Sequence, residues 1–274
     1  MLKTPEWGMM IVFYFFLGGI AGGAYFTAAI ADVFGADRDS KVARIGYLLS
    51  LPLVAICGVL LIADLGVPAR FMNMLNVFKF WDPMSIGAWA VGAFGGFAFL
   101  SSVLLFAKSG TLVSVRRAIG LVGIFFGFFL ASYTGVLLSS TAQPFWGEAR
   151  LLGALFLASG GSTGMAAISL IMFLTGSKSG DGWAKVTRAD RYSIIVEIVV
   201  LAAFLATLGS AAAPITSGHF APLFWGVLVG LGLVVPLLLD FVAHRVKPLA
   251  ALSALLVLTG GFVLRYVVVM SIQS

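Results

Sequence analysis

Eight long apolar stretches follow one another along the chain, separated by short polar segments. Each is about 20 residues long, the length of α-helix that crosses a hydrocarbon core of roughly 30 Å. A composition of 61% hydrophobic and 10% charged residues fits this pattern. The sequence therefore predicts an all-α integral membrane protein with eight transmembrane helices. The predicted spans are 8–31, 45–63, 85–107, 118–138, 151–175, 192–212, 222–243 and 249–270.

Lysine and arginine are distributed unevenly between the two faces that these spans define. Positive residues are enriched in cytoplasmic loops, so the richer face is predicted to be cytoplasmic. Both termini then lie outside the cytoplasm, in the periplasm if the cell is a diderm bacterium. The expected location is the bacterial inner membrane. Twelve basic residues fall on the richer face: Arg38, Lys41, Arg44, Lys108, Arg116, Arg117, Lys178, Lys185, Arg188, Arg191, Arg245 and Lys247. Four fall on the other face: Lys3, Arg70, Lys79 and Arg150.

The positive charge and the scarcity of metal ligands exclude several classes of function. The bases that make up the net charge of +6 are spread among short loops, which argues against nucleic-acid binding. Cys57 is the single cysteine, so no Cys-x-x-Cys pair exists to hold an iron–sulfur cluster. His219 and His244 fall at opposite predicted faces and cannot jointly hold a haem. We expect no haem, iron–sulfur cluster or metal in this chain.

Recurring glycines suggest how the spans pack. Gly18–Gly22 in the first span is echoed by Gly160–Gly164 in the fifth. A parallel repeat would make residues 1–142 one four-helix bundle and residues 143–274 a second. The alternative is that glycines recur wherever membrane helices pack closely. Five glycine pairs spaced four apart predict close helix contacts: Gly18/Gly22, Gly92/Gly96, Gly123/Gly127, Gly160/Gly164 and Gly226/Gly230.

Most polar candidates lie near the outer ends of the predicted spans. The segment DLGVPARF, residues 64–71, places an acid and an arginine at a membrane boundary, where ionisable groups usually face protein or water. Together the candidates could line one pocket close to the outer face. They are Tyr14, Asp64, Ser85, Trp89, Tyr133 and Arg265, with Tyr266 beside the last.

Such a pocket suits a neutral headgroup with two carbonyls, because aromatic walls would surround it and phenol or carboxyl donors would meet its ends. That description fits a quinone, and Asp64 could take up or release its protons. Tyr14, Tyr133 and Trp89 have an alternative interpretation as aromatic-belt or packing residues. Asp64 and Arg265 have one as a structural ion pair.

A second polar group lies toward the cytoplasmic side of the predicted spans. Acids inside a membrane often mark proton or ion routes, so Glu197 and Asp240 could belong to a proton path. The interpretation that we favour from sequence is that Glu197 is a helix-end acid paired with Arg188 or Arg191. The group consists of Asp32, Glu197, Asp240 and His244.

Four motifs, in order along essentially the whole chain, resemble the NrfD/polysulfide reductase family of integral membrane subunits. They are LGGIAGG at 17–23; DLGVPARF at 64–71 with MSIGAW at 84–89; SYTGVLL at 132–138 followed by PFW at 144–146; and GGFVLRY at 260–266.

The resemblance implies an eight-helix subunit without metal cofactors that binds a quinone, either menaquinone or ubiquinone, near the outer face. It also implies an iron–sulfur (ferredoxin-like) partner subunit docked over that quinone, and a catalytic molybdopterin or multihaem subunit beyond it. Matched position by position, Tyr14, Asp64 and Tyr133 are the expected quinone contacts.

The predicted function is therefore a quinone-binding membrane subunit of a multi-subunit oxidoreductase, in which Asp64 or Tyr133 handles protons. One alternative is a transporter or ion-conducting module, which the parallel repeat and Glu197 would allow. Another is a structural anchor that tethers a soluble enzyme and binds no quinone.

Overall fold

The computed structural model describes residues 7–35, 40–65, 67–72, 76, 79, 81–107, 109–141, 143–176, 181–243 and 247–273. Eight helices in these ranges are long and apolar enough to cross a membrane, which confirms the all-α membrane fold. They are α1 (Met9–Phe34), α2 (Ser40–Asp64), α3 (Pro83–Leu104), α4 (Gly110–Ser139), α5 (Leu152–Leu174), α6 (Asp181–Leu208), α7 (Pro222–Val234 followed by Val235–Ala243) and α8 (Lys247–Met270).

Helices α4 and α6 begin well before the apolar stretches from which their spans were predicted. The polar turns at their starts, from Gly110 and from Asp181, continue the same helices. Hydrophobicity marks the part of a helix that lies in lipid, whereas the backbone can stay helical into the aqueous region beyond it. Short helical segments occupy several connections: Pro68–Arg70, Pro144–Glu148, Gly209–Ala212 and Ala213–Thr216.

Helix α7 departs from regular α geometry over most of its length. Pro222–Val234 is a π-helix, and the N–H of Val235 donates five residues back to the carbonyl of Gly230. Pro236 lies where the α-helical part begins. Proline cannot donate a backbone hydrogen bond, so a change of helix type beside it is expected.

Helices α1 and α5 lie at the centre of the bundle and pack against each other along glycine-rich faces. A Cβ atom added to Gly23 would lie 1.9 Å from the carbonyl oxygen of Gly160. One added to Gly164 would lie 2.4 Å from the backbone of Gly23. The two similar glycine motifs thus meet each other, which supports their interpretation as packing surfaces.

The other helices surround this central pair. Helix α1 also packs against α2, α4 and α8, whereas α5 also packs against α4, α6 and α8. Helices α1 and α5 belong to different halves of the chain and still share extensive contact. The division into two bundles at residue 142 therefore stays a prediction.

Both ends of the described chain lie at one face of the bundle. The backbone N–H of Trp7 donates to the side-chain carbonyl of Gln273 at 2.9 Å. We call this end of the bundle the terminal face. Its assignment to the periplasm stays a prediction. The structure does not describe five of the twelve basic side chains assigned to the other face: Arg38, Lys108, Lys178, Arg245 and Lys247.

Candidate functional site

A cavity of about 410 Å³ lies among the ends of α1, α2, α3 and α4 at the terminal face. Its wall is mostly apolar, with residues such as Phe15, Leu61 and Val91. Three lining side chains carry oxygen atoms: Tyr14, Asp64 and Tyr133. The structure thus brings together the three residues that the resemblance to the NrfD family singled out, although their role in binding a quinone stays a prediction. We refer to this space as the terminal-face cavity.

Tyr133 is held at the cavity wall by contacts on three sides. Its hydroxyl donates a hydrogen bond to the carbonyl of Pro83, in the first turn of α3. Its ring stacks on Phe129 with the centroids 5.6 Å apart. A Cβ atom added to Gly87 would lie 2.5 Å from the tyrosine oxygen, so a glycine at that position makes room for the ring. The orientation of Tyr133 is therefore fixed by α3.

The start of α3 is itself well defined. Asp82 is its N-cap, and the side chain accepts a hydrogen bond of 3.0 Å from the N–H of Met84. Pro83 occupies the first turn, where the missing N–H costs nothing. The local sequence Asp-Pro therefore begins this helix and places the carbonyl of Pro83 opposite Tyr133.

Tyr14 lies in the second turn of α1 and is buried, with 2% of its surface exposed. The thiol of Cys57 on α2 donates to its backbone carbonyl at 3.7 Å. Asp64 differs from both tyrosines because it ends α2 and is exposed. It is the only acid among the described residues of the cavity wall. The cavity therefore combines two buried phenols with one carboxylate that water can reach.

Ser85 and Trp89, also predicted to contact a quinone, are not among the lining residues. The hydroxyl of Ser85 accepts a hydrogen bond of 3.1 Å from the N–H of Lys79 and so ties the preceding loop to α3. Trp89 is 43% exposed on the outer surface of α3. Residues Met84, Gly87, Ala88, Val91 and Gly92 line the cavity instead.

Arg265 lies in a different part of the bundle. It is fully buried on α8, and its guanidinium donates to the hydroxyl of Ser159 at 2.6 Å and to the carbonyls of Gly261 at 2.8 Å and Phe156 at 3.3 Å. The ring of Phe156 lies 5.2 Å away. These contacts belong to α5 and α8, and so the interpretation of Arg265 as an ion-pair partner of Asp64 is wrong.

Glu197 is also buried, at 2% exposed, and accepts a hydrogen bond from the hydroxyl of Ser162 on α5. Its interpretation as a helix-end acid paired with Arg188 or Arg191 is therefore wrong; Arg191 instead donates to the backbone carbonyl of Asp240 at 2.7 Å. We call Ser159, Ser162, Glu197 and Arg265 the buried cluster. It was missed from sequence because it depends on how α5, α6 and α8 are rotated toward each other.

Other acids of the second predicted group also lie in protected positions. Asp32 makes two hydrogen bonds to Arg116, of 2.6 and 2.8 Å, which join α1 to α4. Asp240 accepts from the hydroxyl of Ser253 at 3.1 Å. Asp190 is buried as well, although its basic neighbours in the sequence gave no sign of this. His244 lies outside the described residues, and a proton path through Glu197 and Asp240 stays a prediction.

Within the described ranges, no three His, Cys, Asp or Glu side chains form a group that could hold a metal ion. This finding does not cover the remaining residues. The expectation of a chain without metal therefore stays a prediction.

Comparison with known proteins gives a match over the full length. The profile of the family described as "Polysulphide reductase, NrfD" matches residues 1–274. The C subunit of the polysulfide reductase of Wolinella succinogenes is 28% identical over 311 aligned residues, covering 99% of this sequence and 96% of that protein. Protein NrfD of Escherichia coli is 26% identical over 286, covering 92% and 89%. The NrfD homolog of Haemophilus influenzae is 28% identical, covering 96% and 94%.

Proposed function

Because the chain belongs to the polysulphide reductase NrfD family, we propose that it is the quinone-binding membrane subunit of a multi-subunit oxidoreductase. The terminal-face cavity is the binding site in this proposal. The observation that carries the proposal is the convergence of Tyr14, Asp64 and Tyr133 on one largely apolar space. Menaquinone and ubiquinone would both meet this description.

The cavity fits a quinone headgroup in size and in chemistry. Its volume of about 410 Å³ lies within the roughly 300–1,000 Å³ range of small-molecule sites. Apolar walls suit the ring, and the hydroxyl of Tyr14 could donate to one of the two carbonyl oxygens. The cavity does not suit a highly charged ligand. Asp64 is the only acid among the described lining residues, and the described lining contains no base.

In this proposal, a bound quinone supplies two-electron, two-proton redox chemistry. The three polar residues have different tasks. Asp64 exchanges protons with water, because it is exposed at the end of α2 while also lining the cavity. Tyr133 positions the ligand as a fixed part of the cavity wall, since its hydroxyl donates to the carbonyl of Pro83. Tyr14 is buried beside the cavity and offers a hydroxyl donor from α1.

Electrons would be exchanged with an iron–sulfur subunit docked on the terminal face, and from there with a catalytic molybdopterin or multihaem subunit. The position of the cavity at this end of the bundle supports this arrangement. Apolar side chains in the loop between α2 and α3 support it too: Val67, Met72 and Trp81 are each more than half exposed, at 52%, 51% and 70%. The periplasmic side of a bacterial inner membrane is the proposed location of this face, as the positive residues predict.

The proposal is tested by Asp64→Asn and Tyr133→Phe in the assembled complex. We expect Asp64→Asn to lower quinone-linked turnover by about 100-fold while quinone remains bound, because only the proton-exchanging group is lost. Tyr133→Phe should lower turnover by about tenfold, because ligand positioning is weakened. Quinone extracted from the purified complex would be quantified beside the turnover.

Matched controls are Glu148→Gln and Tyr192→Phe, two exposed side chains that do not line the cavity. Both controls should retain normal turnover. Normal turnover in Asp64→Asn and in Tyr133→Phe, with assembly intact, would overturn the proposed site.

A further inference from the structure

Two glycines form a gap in the wall of the terminal-face cavity. Gly58 on α2 and Gly92 on α3 both line it, and a Cβ atom added to either would meet no atom within 4 Å. Gly92 is exposed at the surface of the bundle as well. The cavity lining thus includes one glycine on α2 and one on α3, and at Gly92 it reaches the exposed surface of the bundle.

Most other glycines of the transmembrane helices serve close packing, which makes this gap distinctive. Added Cβ atoms at Gly22, Gly23 and Gly164 would overlap a neighbouring backbone. The sequence predicted the same role for Gly92/Gly96 and for Gly226/Gly230. Gly92, Gly96 and Gly226 have no neighbour within 4 Å of an added Cβ atom, and Gly230 meets only the carbonyl oxygen of Trp225 in its own helix, so that prediction is wrong for both pairs. Of these four glycines, Gly92 lines the terminal-face cavity.

The gap lies within the membrane-spanning parts of α2 and α3, away from the helix ends. Gly92 is nine residues into α3, or about 14 Å from its start at 1.5 Å per residue. Gly58 is six residues before the end of α2, or about 9 Å. Apolar side chains are exposed nearby on the same two helices, among them Ile56, Val59 and Trp89. A molecule that leaves the cavity through this gap enters lipid rather than water.

The floor of the gap is closer to a normal helix contact. An added Cβ atom at Gly95 would lie 4.0 Å from the side chain of Val54 on α2, which is ordinary contact distance. At the level of Gly95, the two helices α2 and α3 are therefore in contact.

We propose that the gap between Gly58 and Gly92 is a lateral entrance through which a quinone with a long isoprenoid tail enters from the membrane and leaves its tail in lipid. This inference rests on the proposed function. It adds the route by which the quinone enters and the position of its isoprenoid tail outside the cavity. The absence of side chains at both glycines provides the width, and the apolar surroundings match a hydrocarbon tail.

The test compares two quinones with the same headgroup, one with a long isoprenoid tail and one with none. Their dissociation constants would be measured by equilibrium binding to the purified complex in lipid nanodiscs. Gly92→Leu, and separately Gly58→Leu, should raise the ratio of the long-tail to the tail-less constant by about tenfold or more. Leucine fills the entrance and obstructs the tail.

Gly226→Leu is the matched control, because Gly226 on α7 is also exposed and also has no neighbour within 4 Å of an added Cβ atom. It should leave both dissociation constants unchanged. An unchanged ratio in Gly92→Leu and Gly58→Leu, with both quinones bound by the unsubstituted complex, would overturn the lateral entrance alone. Failure of the unsubstituted complex to bind either quinone would overturn the proposed function and the entrance with it.

Discussion

The terminal-face cavity and the buried cluster both place polar side chains inside an apolar bundle, but they treat those side chains differently. In the cluster, the two terminal nitrogens of Arg265 donate to hydroxyl and carbonyl acceptors from α5 and α8. In the cavity, Asp64 is exposed and faces open space. A polar residue whose partners are all helix atoms joins helices, whereas one that faces a cavity is available to a ligand.

The largest expected effect is a loss of stability when the buried cluster is disrupted. Arg265→Leu should lower the free energy of unfolding by about 3 kcal/mol, because Ser159 and the carbonyls of Gly261 and Phe156 then lose a buried charged donor. Thermal unfolding in detergent would measure the change. Arg150→Leu, at an exposed arginine, should change stability by less than about 0.5 kcal/mol. A stable Arg265→Leu protein with weakened quinone binding would instead place Arg265 in the ligand site.

A smaller effect, on quinone binding, is expected when the wall of the terminal-face cavity is changed. Gly87→Ala puts a methyl group 2.5 Å from the hydroxyl oxygen of Tyr133 and must displace the ring. We expect the dissociation constant for a quinone to rise by about tenfold. Gly95→Ala is the matched control, since its methyl group would meet only Val54, at 4.0 Å.

A double substitution checks the physical reason for this effect. The methyl group of Gly87→Ala would strike the oxygen, Cε1 and Cζ of Tyr133, at 2.5, 2.6 and 2.7 Å. Tyr133→Leu removes this ring, so the two changes should not add in their effects on binding. Fully additive effects would show that Gly87 acts independently of Tyr133.

The smallest expected effect separates α3 residues that line the cavity from those that do not. Ser85→Ala removes the acceptor for the N–H of Lys79 and should cost about 1 kcal/mol or less. Faster hydrogen exchange in the loop before α3 would report it. Ser139→Ala, whose hydroxyl bonds only the carbonyl of Val136 in its own helix, is the control. A tenfold weaker quinone affinity in Ser85→Ala would contradict a role limited to the loop and would place Ser85 in the binding site.

The sequence was sufficient to predict the eight spans because length and apolarity alone define a membrane helix. It also indicated which span ends would meet, and Tyr14, Asp64 and Tyr133 do converge there. Rotation about each helix axis was harder to predict. Residues 84, 87, 88, 91 and 92 line the cavity, whereas Ser85 and Trp89 of the same helix point elsewhere. One residue turns a helix by about 100°, so a small error in rotation moves a side chain to another face.

Contacts between helices far apart in the chain explain the remaining errors. Gly92/Gly96 and Gly160/Gly164 have the same spacing, yet only the second pair meets another backbone. The glycine pattern describes a helix surface and does not specify what covers it. Likewise, nothing in the local sequence of Glu197 reveals that Ser162, 35 residues earlier, is its partner.

The position of Cys57 has a practical consequence for labelling experiments. It is the single cysteine of the sequence, it is fully buried, and its thiol already donates to the backbone of Tyr14. Thiol reagents react with accessible thiolates, so they should not react with this residue in the folded protein. Cysteines introduced on the lipid-facing surface or around the loop between α2 and α3 can then carry spin labels or fluorophores on the natural background. The residue that could have complicated such work can be left in place.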